Sequence, residues 1–169
     1  DPDVRRQTSN IRWVRKSVCC FAYRDSIFKY QPWLVLRVRF KLEKGDKKTL
    51  AKKSREIVKI REKKYKPGLR CPGSFFKNIL VKDVSRVTLD KIDRSKIIDG
   101  KIPTGYLLES VGAKGMKLGG LKIADFHGNL LINTGQATFA DVKKLATLLK
   151  NRVYRKFGIR LEEEVRYMI

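Results

Sequence analysis

The chain has 169 residues, 42% of them hydrophobic, which is enough apolar material for one domain, or one domain with part of another, and argues against wholesale disorder. Forty Lys and Arg against seventeen Asp and Glu give a formal net charge of +23, a balance that attracts polyanions such as RNA, DNA, anionic membrane surfaces and nucleotide cofactors. No apolar run approaches the ~20 residues that span a bilayer, and no signal-peptide pattern opens the chain. Cys19, Cys20 and Cys71 with a single histidine, His127, make neither a disulfide framework nor a tetrahedral zinc site. The expectation is a cytoplasmic protein with reduced cysteines, no membrane association and no metal. The first residue is Asp1 rather than methionine, which reads as a processed chain or a piece of a longer one.

In chain order, Tyr23-Arg24-Asp25-Ser26-Ile27-Phe28-Lys29 comes first; its Arg24 has a choice between Asp25 and an anionic ligand. Residues 34–42 alternate apolar (Leu34, Leu36, Val38, Phe40, Leu42) with basic (Arg37, Arg39, Lys41), the period of a half-buried strand. Gly45-Asp46 marks a turn, and 47–64 reads as a largely charged helix with a narrow stripe at Leu50, Ile57 and Val58. Pro67-Gly68 ends it. Ile79–Val84 and Arg86–Leu89 are short strand candidates, and Pro103 opens a short helix that Gly112 stops. Lys114–Gly120 reads as a glycine-rich loop and Leu130–Ile132 as a buried strand. Thr138 with Asp141 forms a capping-box pattern before a helix whose Leu145, Leu149, Val153 and Phe157 keep helical spacing up to Gly158. A last strand is expected over 159–167, with Glu162, Glu164 and Arg166 on one face. Strands and helices mix without a strict βαβ rhythm, so the class is α+β.

The chemistry-bearing segments are individually plain. In Pro72-Gly73-Ser74-Phe75-Phe76-Lys77-Asn78, a glycine before the serine permits a tight turn that leaves the hydroxyl accessible, with a cation and an amide close behind. Alone, the heptad reads as an ordinary loop entering a strand; Gly-x-Ser-x-Gly is not present. Glu164 and Arg166 read equally as a solvated same-face pair.

Together, and in order, the segments resemble one family. YRDSIFK (23–29), the strand at 34–42, PGSFFKN (72–78), IPTGYLLESVGAKGMKLGG (102–120), HGNLLINTGQAT (127–138) and FGIRLEEEVR (157–166) are similar to UDP-N-acetylenolpyruvoylglucosamine reductase, also called UDP-N-acetylmuramate dehydrogenase, the flavoenzyme of bacterial peptidoglycan synthesis. Ile79, Gly128, Ala124 and Phe126 depart from the residues the family commonly carries there. The resemblance implies that 1–45 is the tail of a second FAD-binding lobe, 46–65 a connecting helix and 66–169 the C-terminal substrate-binding domain; the family's glycine-rich flavin segments have no match. It implies FAD and NADPH as cofactors and a UDP-sugar as substrate, with hydride delivered from reduced flavin to an enolpyruvyl double bond and a proton supplied by the enzyme. By position, Ser74 resembles the proton donor. Glu164, with Arg24, would polarise the substrate carboxylate, and Lys64, Asn78, His127 and Arg166 resemble substrate contacts. The expected oligomeric state is a monomer. The alternative expectation is a basic RNA-binding or structural fragment, carried by the Lys/Arg run over 41–70.

Overall fold

The computed structural model describes residues 11–65 and 68–168. Two compact units emerge, one ending at Lys44 and one beginning at Gly45.

In the first unit the described residues form two single 3-10 turns, Lys16–Cys19 and Ile27–Lys29, and an isolated antiparallel bridge between Ala22 and Asp25. Rings hold it together: Phe28 lies between Phe21 and Trp33 with centroids 6.4 and 6.3 Å away, and the Arg12 guanidinium sits 5.1 Å over Trp33. The expected strand at 34–42 is absent. The segment has no ladder among the described residues, and Leu34, Leu36, Val38, Phe40 and Leu42 are all exposed. Alternation specifies which faces a strand would have, but a strand exists only when a neighbour accepts and donates its backbone bonds.

The second unit starts with α1, Lys47–Lys64, whose bounds match the expectation. Asp46 caps it by accepting from the Thr49 amide at 2.7 Å. The helix carries nine Lys and Arg against two Glu, and its Leu50, Ile57 and Val58 are exposed. After the loop come β1 (Ile79–Leu80) and α2 (Arg86–Leu89). The second is a correction: a strand was expected there. Ser85 Oγ accepts from the Thr88 amide at 3.3 Å, so a local cap outcompetes the weak strand preference of Val87 and Thr88 over a stretch too short to show a period.

β2 (Lys101–Ile102) pairs antiparallel with β1, and α3 (Thr104–Glu109) follows Pro103 as the sequence predicts. Gly112 ends the turn with φ +72°, and the Ala113 amide reaches back to the Leu108 carbonyl at 3.0 Å. The glycine-rich stretch is not all loop. It holds β3 (Lys117–Leu118), which turns through Gly119 and Gly120 into β4 (Leu121–Ile123); β5 (Leu131–Asn133) completes the sheet in the order β3-β4-β5. The turn is glycine because it lies under the start of the next helix. A Cβ at Gly120 would stand 2.2 Å from the Ala137 amide nitrogen.

That helix, α4 (Phe139–Phe157), has the expected capping box and a left-handed Gly158 at its end. Leu145, Leu149, Val153 and Phe157 form its buried face and meet Phe76, Ile102, Leu107 and Ile123 in one core. The strand expected over 159–167 reduces to a single bridge, Phe76 to Glu163, with a bend at Glu164 and Val165. Ile159 and Leu161 are buried as expected, and the bend breaks the alternation beyond them.

Candidate active site

Four local devices build a cleft of about 280 Å³ in the second unit. The first is Gly73, whose φ of +87° lies in the left-handed region and turns the chain so that Ser74 stands exposed above buried Phe75 and Phe76. The second is a two-residue turn at Asp99-Gly100, both with positive φ (+48° and +69°), flanked by paired Ile98 and Lys101. It brings Asp99 and Lys101 to the cleft. The third is the start of α3: Asn78 Oδ1 accepts from the Thr104 amide at 3.1 Å, and the Thr104 hydroxyl donates to the Lys77 carbonyl. The fourth is the His127–Asn129 corner. Asn129 donates its amide to His127 Nδ1 at 3.2 Å, so Nδ1 is an acceptor here.

His127 lies against Gly105, where a Cβ would stand 2.6 Å from its Cε1. One turn further along α3, Glu109 accepts from the Gly128 amide at 3.1 Å and pairs with Lys114 at 2.8 Å. Burial pushes the Glu109 carboxyl up, but the Lys114 ammonium, the Gly128 amide and His127 outweigh it and hold the carboxyl below its ordinary value. A Cβ on residue 128 would meet Glu109 Cγ at 2.8 Å, so the glycine at this position makes room for that carboxylate.

Behind the serine loop runs the C-terminal tail. The Glu164 amide donates to the Phe75 carbonyl at 2.8 Å, and the Lys77 amide donates to the Glu162 carbonyl at 2.9 Å. Glu163 pairs with Lys150 of α4 at 2.7 Å. Tyr167 packs edge-on to Phe139 with Lys143 Nζ 4.0 Å over its ring. Its hydroxyl is buried without a well-formed hydrogen bond; burial first, then the Glu163 carboxylate, pushes its pKa up to about 12.

Of the residues singled out in the sequence, Ser74, Asn78 and His127 line one cleft. Glu164 is half-buried on the tail, its backbone bonded to the residue after Ser74; Arg166 is exposed further along the same tail. Arg24 belongs to the first unit, with φ +53° and its guanidinium 6.0 Å from the Tyr23 ring. Lys64 is the last residue of α1, and its side chain lies outside the described residues. Sequence reasoning missed Asp99, Lys101 and Asn129. Asp99-Gly100 between Ile98 and Lys101 is a hairpin-turn signal that was there to be read; Asn129 carries no comparable signal. No group of three or more His, Cys, Asp or Glu able to hold a metal occurs among the described residues. All three cysteines are free.

Fold and cleft together define an α+β domain with one polar opening lined by Ser74, Asn78, Asp99, Lys101, His127 and Asn129. A family model described as "UDP-N-acetylenolpyruvoylglucosamine reductase, C-terminal domain" matches residues 65–168, and the chain belongs to that family. Among similar proteins, the UDP-N-acetylenolpyruvoylglucosamine reductase of Solibacter usitatus is 37% identical over 161 residues, 95% of this chain and 52% of its own length. That of Thermotoga maritima is 32% identical over 153 residues, 90% of this chain and 47% of its own length. The crystal structure of UDP-N-acetylenolpyruvylglucosamine reductase (MurB) from Thermus caldophilus superposes with a TM-score of 0.50 at 26% identity, covering 76% of this chain and 38% of that one. The chain therefore spans about half the length of the curated relatives it matches.

Proposed function

We propose that the protein containing this chain reduces the enolpyruvyl ether of UDP-N-acetylglucosamine to UDP-N-acetylmuramate for peptidoglycan synthesis, using FAD and NADPH, and that this chain supplies the substrate-binding and proton-donating part. The observation that carries the reading is the convergence of the segment bearing Ser74 and Asn78 with His127, distant in sequence, on one cleft of a domain that belongs to the reductase family. In this reading 1–45 is the end of a flavin-binding lobe, 46–65 the connecting helix and 66–169 the substrate-binding domain. The polar lining suits a charged sugar nucleotide, with Lys101, Asn78 and His127 offering the cation and hydrogen-bonding groups such a ligand needs.

The flavin, when bound, supplies hydride to the substrate double bond; no residue of this chain is assigned to hold it. Ser74 delivers the proton to the neighbouring carbon. A serine hydroxyl is a very weak acid, so the alkoxide left behind needs cations and amide donors around it in a cleft that excludes water. Glu164 and Arg24 polarise the substrate carboxylate, which stabilises the enolate that precedes protonation. Asn78, His127, Lys64 and Arg166 hold the nucleotide sugar.

The test is calorimetric titration of this chain with the enolpyruvyl UDP-sugar, followed by single-turnover reduction in the holoenzyme. Ser74→Ala should bind the UDP-sugar as the unaltered chain does and lose on the order of 10²-fold or more in the reduction step, the range a general acid contributes. Normal turnover by that variant overturns the Ser74 assignment. A second reading, a basic RNA-binding fragment, is favoured by the exposed lysines of α1. RNA binding that weakens steeply with salt, with no response to UDP-sugars, would replace the first reading by the second.

A further inference from the structure

Asn129 is one of only two buried polar or charged residues among those described, at 2% exposure, and every hydrogen-bonding group it owns is directed at the site. Its side-chain Nδ2 donates to the Phe76 carbonyl at 2.8 Å and its Oδ1 accepts from the Phe76 amide at 2.9 Å. Its main-chain carbonyl accepts from the Phe75 amide at 3.0 Å, and its own amide donates to His127. The side-chain amide thus stands in for a peptide group: it pairs with both polar atoms of Phe76 where the backbone ladder beside Ser74 and Leu130 stops after one bridge. On the other edge of the same four-residue stretch, Phe75 and Lys77 bond to Glu164 and Glu162. The serine loop is therefore held between Asn129 and the glutamate-bearing tail.

We infer that Asn129 is a positioning residue that fixes the Ser74 hydroxyl in the cleft by clamping the Phe75-Phe76 backbone, and that it ties the serine loop and His127 into one unit. The inference rests on the reading of Ser74 as proton donor. A side chain that is buried, satisfied at all its groups and devoted to one backbone unit leaves the loop a single arrangement; loosening it displaces the donor, not the bound sugar.

Asn129→Asp is the discriminating variant because it is nearly isosteric. As a neutral acid it offers the one donor and one acceptor that the amide uses on Phe76; ionised, it offers acceptors only and turns one of them against the Phe76 carbonyl. Burial favours the neutral form. In the holoenzyme, reoxidation of reduced flavin by the enolpyruvyl UDP-sugar is measured from about pH 8.5 down to about pH 5.5. The expected result is a kcat loss on the order of 10²-fold at the alkaline end with KM little changed, and recovery toward the unaltered rate as the pH falls. His127, Glu109, Glu163 and Glu164 are the other ionisable side chains around the clamp, and the profile of the unaltered enzyme measures their share. Asn129→Gln keeps the amide on a longer arm; it should lose kcat without gaining the pH dependence. Asn129→Asp with the unaltered rate at alkaline pH overturns the inference, as does a loss that falls on KM or that does not recover. An unaltered enzyme with no turnover overturns the reading of the reaction itself, whereas a working enzyme indifferent to Asn129→Asp overturns this inference alone.

Discussion

Close approaches at single residues set the geometry of the cleft. Gly105 lets His127 lie close against α3, and Gly128 lets Glu109 reach the backbone beside the imidazole. Gly105→Ala puts two effects in opposition. Alanine favours the helix by roughly 1 kcal/mol, while crowding a packed ring costs about 1–3 kcal/mol. The ring is a side chain, so it yields by rotating away. Little net change in thermal stability is expected, together with about a tenfold weaker affinity for the UDP-sugar, equivalent to about 1.4 kcal/mol. Calorimetry on the variant decides it: unchanged affinity would remove His127 from the substrate contacts. Ser74, Asn78 and His127 were singled out through the family resemblance of their segments taken together, and the structure lines one cleft with them. Asn129 was not, because its importance lies in a clamp to Phe76, 53 positions away, which no local pattern encodes.

At the scale of elements, the two long helices matched their expected places, whereas the alternating segment at 34–42 did not become a strand. For α4 the signals were reciprocal: the Thr138 hydroxyl accepts from the Asp141 amide at 3.1 Å and the Asp141 carboxylate accepts from the Thr138 amide at 3.0 Å. Thr138→Ala should therefore cost about 1 kcal/mol, read as a lower thermal midpoint, and the loss should be largely absent in Thr138→Ser. The tail segments bound to α4 through Lys150 and Lys143 should loosen with it, visible as faster amide exchange at Glu163 and Glu164. Elements of two to four residues were misread in both directions. At α2 the Ser85 cap prevailed over β-branched side chains; at β3 a two-residue strand hid in a glycine-rich run because its partner β4 supplies the bonds. Pairing of so few residues is a tertiary event, and composition is a poor guide to it.

In the second unit two partly exposed ion pairs hold carboxylates in place: Glu109 with Lys114 beside the cleft, and Glu163 with Lys150 between tail and helix. At Glu163, burial pushes the carboxyl up, but Lys150, Tyr167 and Lys143 prevail and hold it low, the same net direction as at Glu109. A depressed folded-state value means stability that is present above the unfolded carboxyl's ordinary pKa of about 4.3 and lost as the pH falls through the lower folded values. Each partly exposed pair contributes on the order of 0.5 kcal/mol. Unfolding free energy should accordingly decline as the pH falls below about 4.3, and Glu163→Gln should flatten that decline. An unchanged slope in the variant would show that Glu163 is not coupled to folding.

The sequence by itself determined the α+β class, the two long helices with the capping box of the second, the glycine before Ser74 and the family to which the chain belongs. Those features are local: helical periodicity, capping residues and positive-φ glycines act within a few positions of themselves. Tertiary structure alone decided that 34–42 carries no ladder among the described residues, that 159–167 bends at Glu164 after a single bridge, and that Lys101 and Asn129 join the cleft. Each of these depends on which backbone lies alongside. A backbone amide or carbonyl takes whichever partner the fold places within reach, and that partner is a matter of position in space rather than of neighbours in the chain.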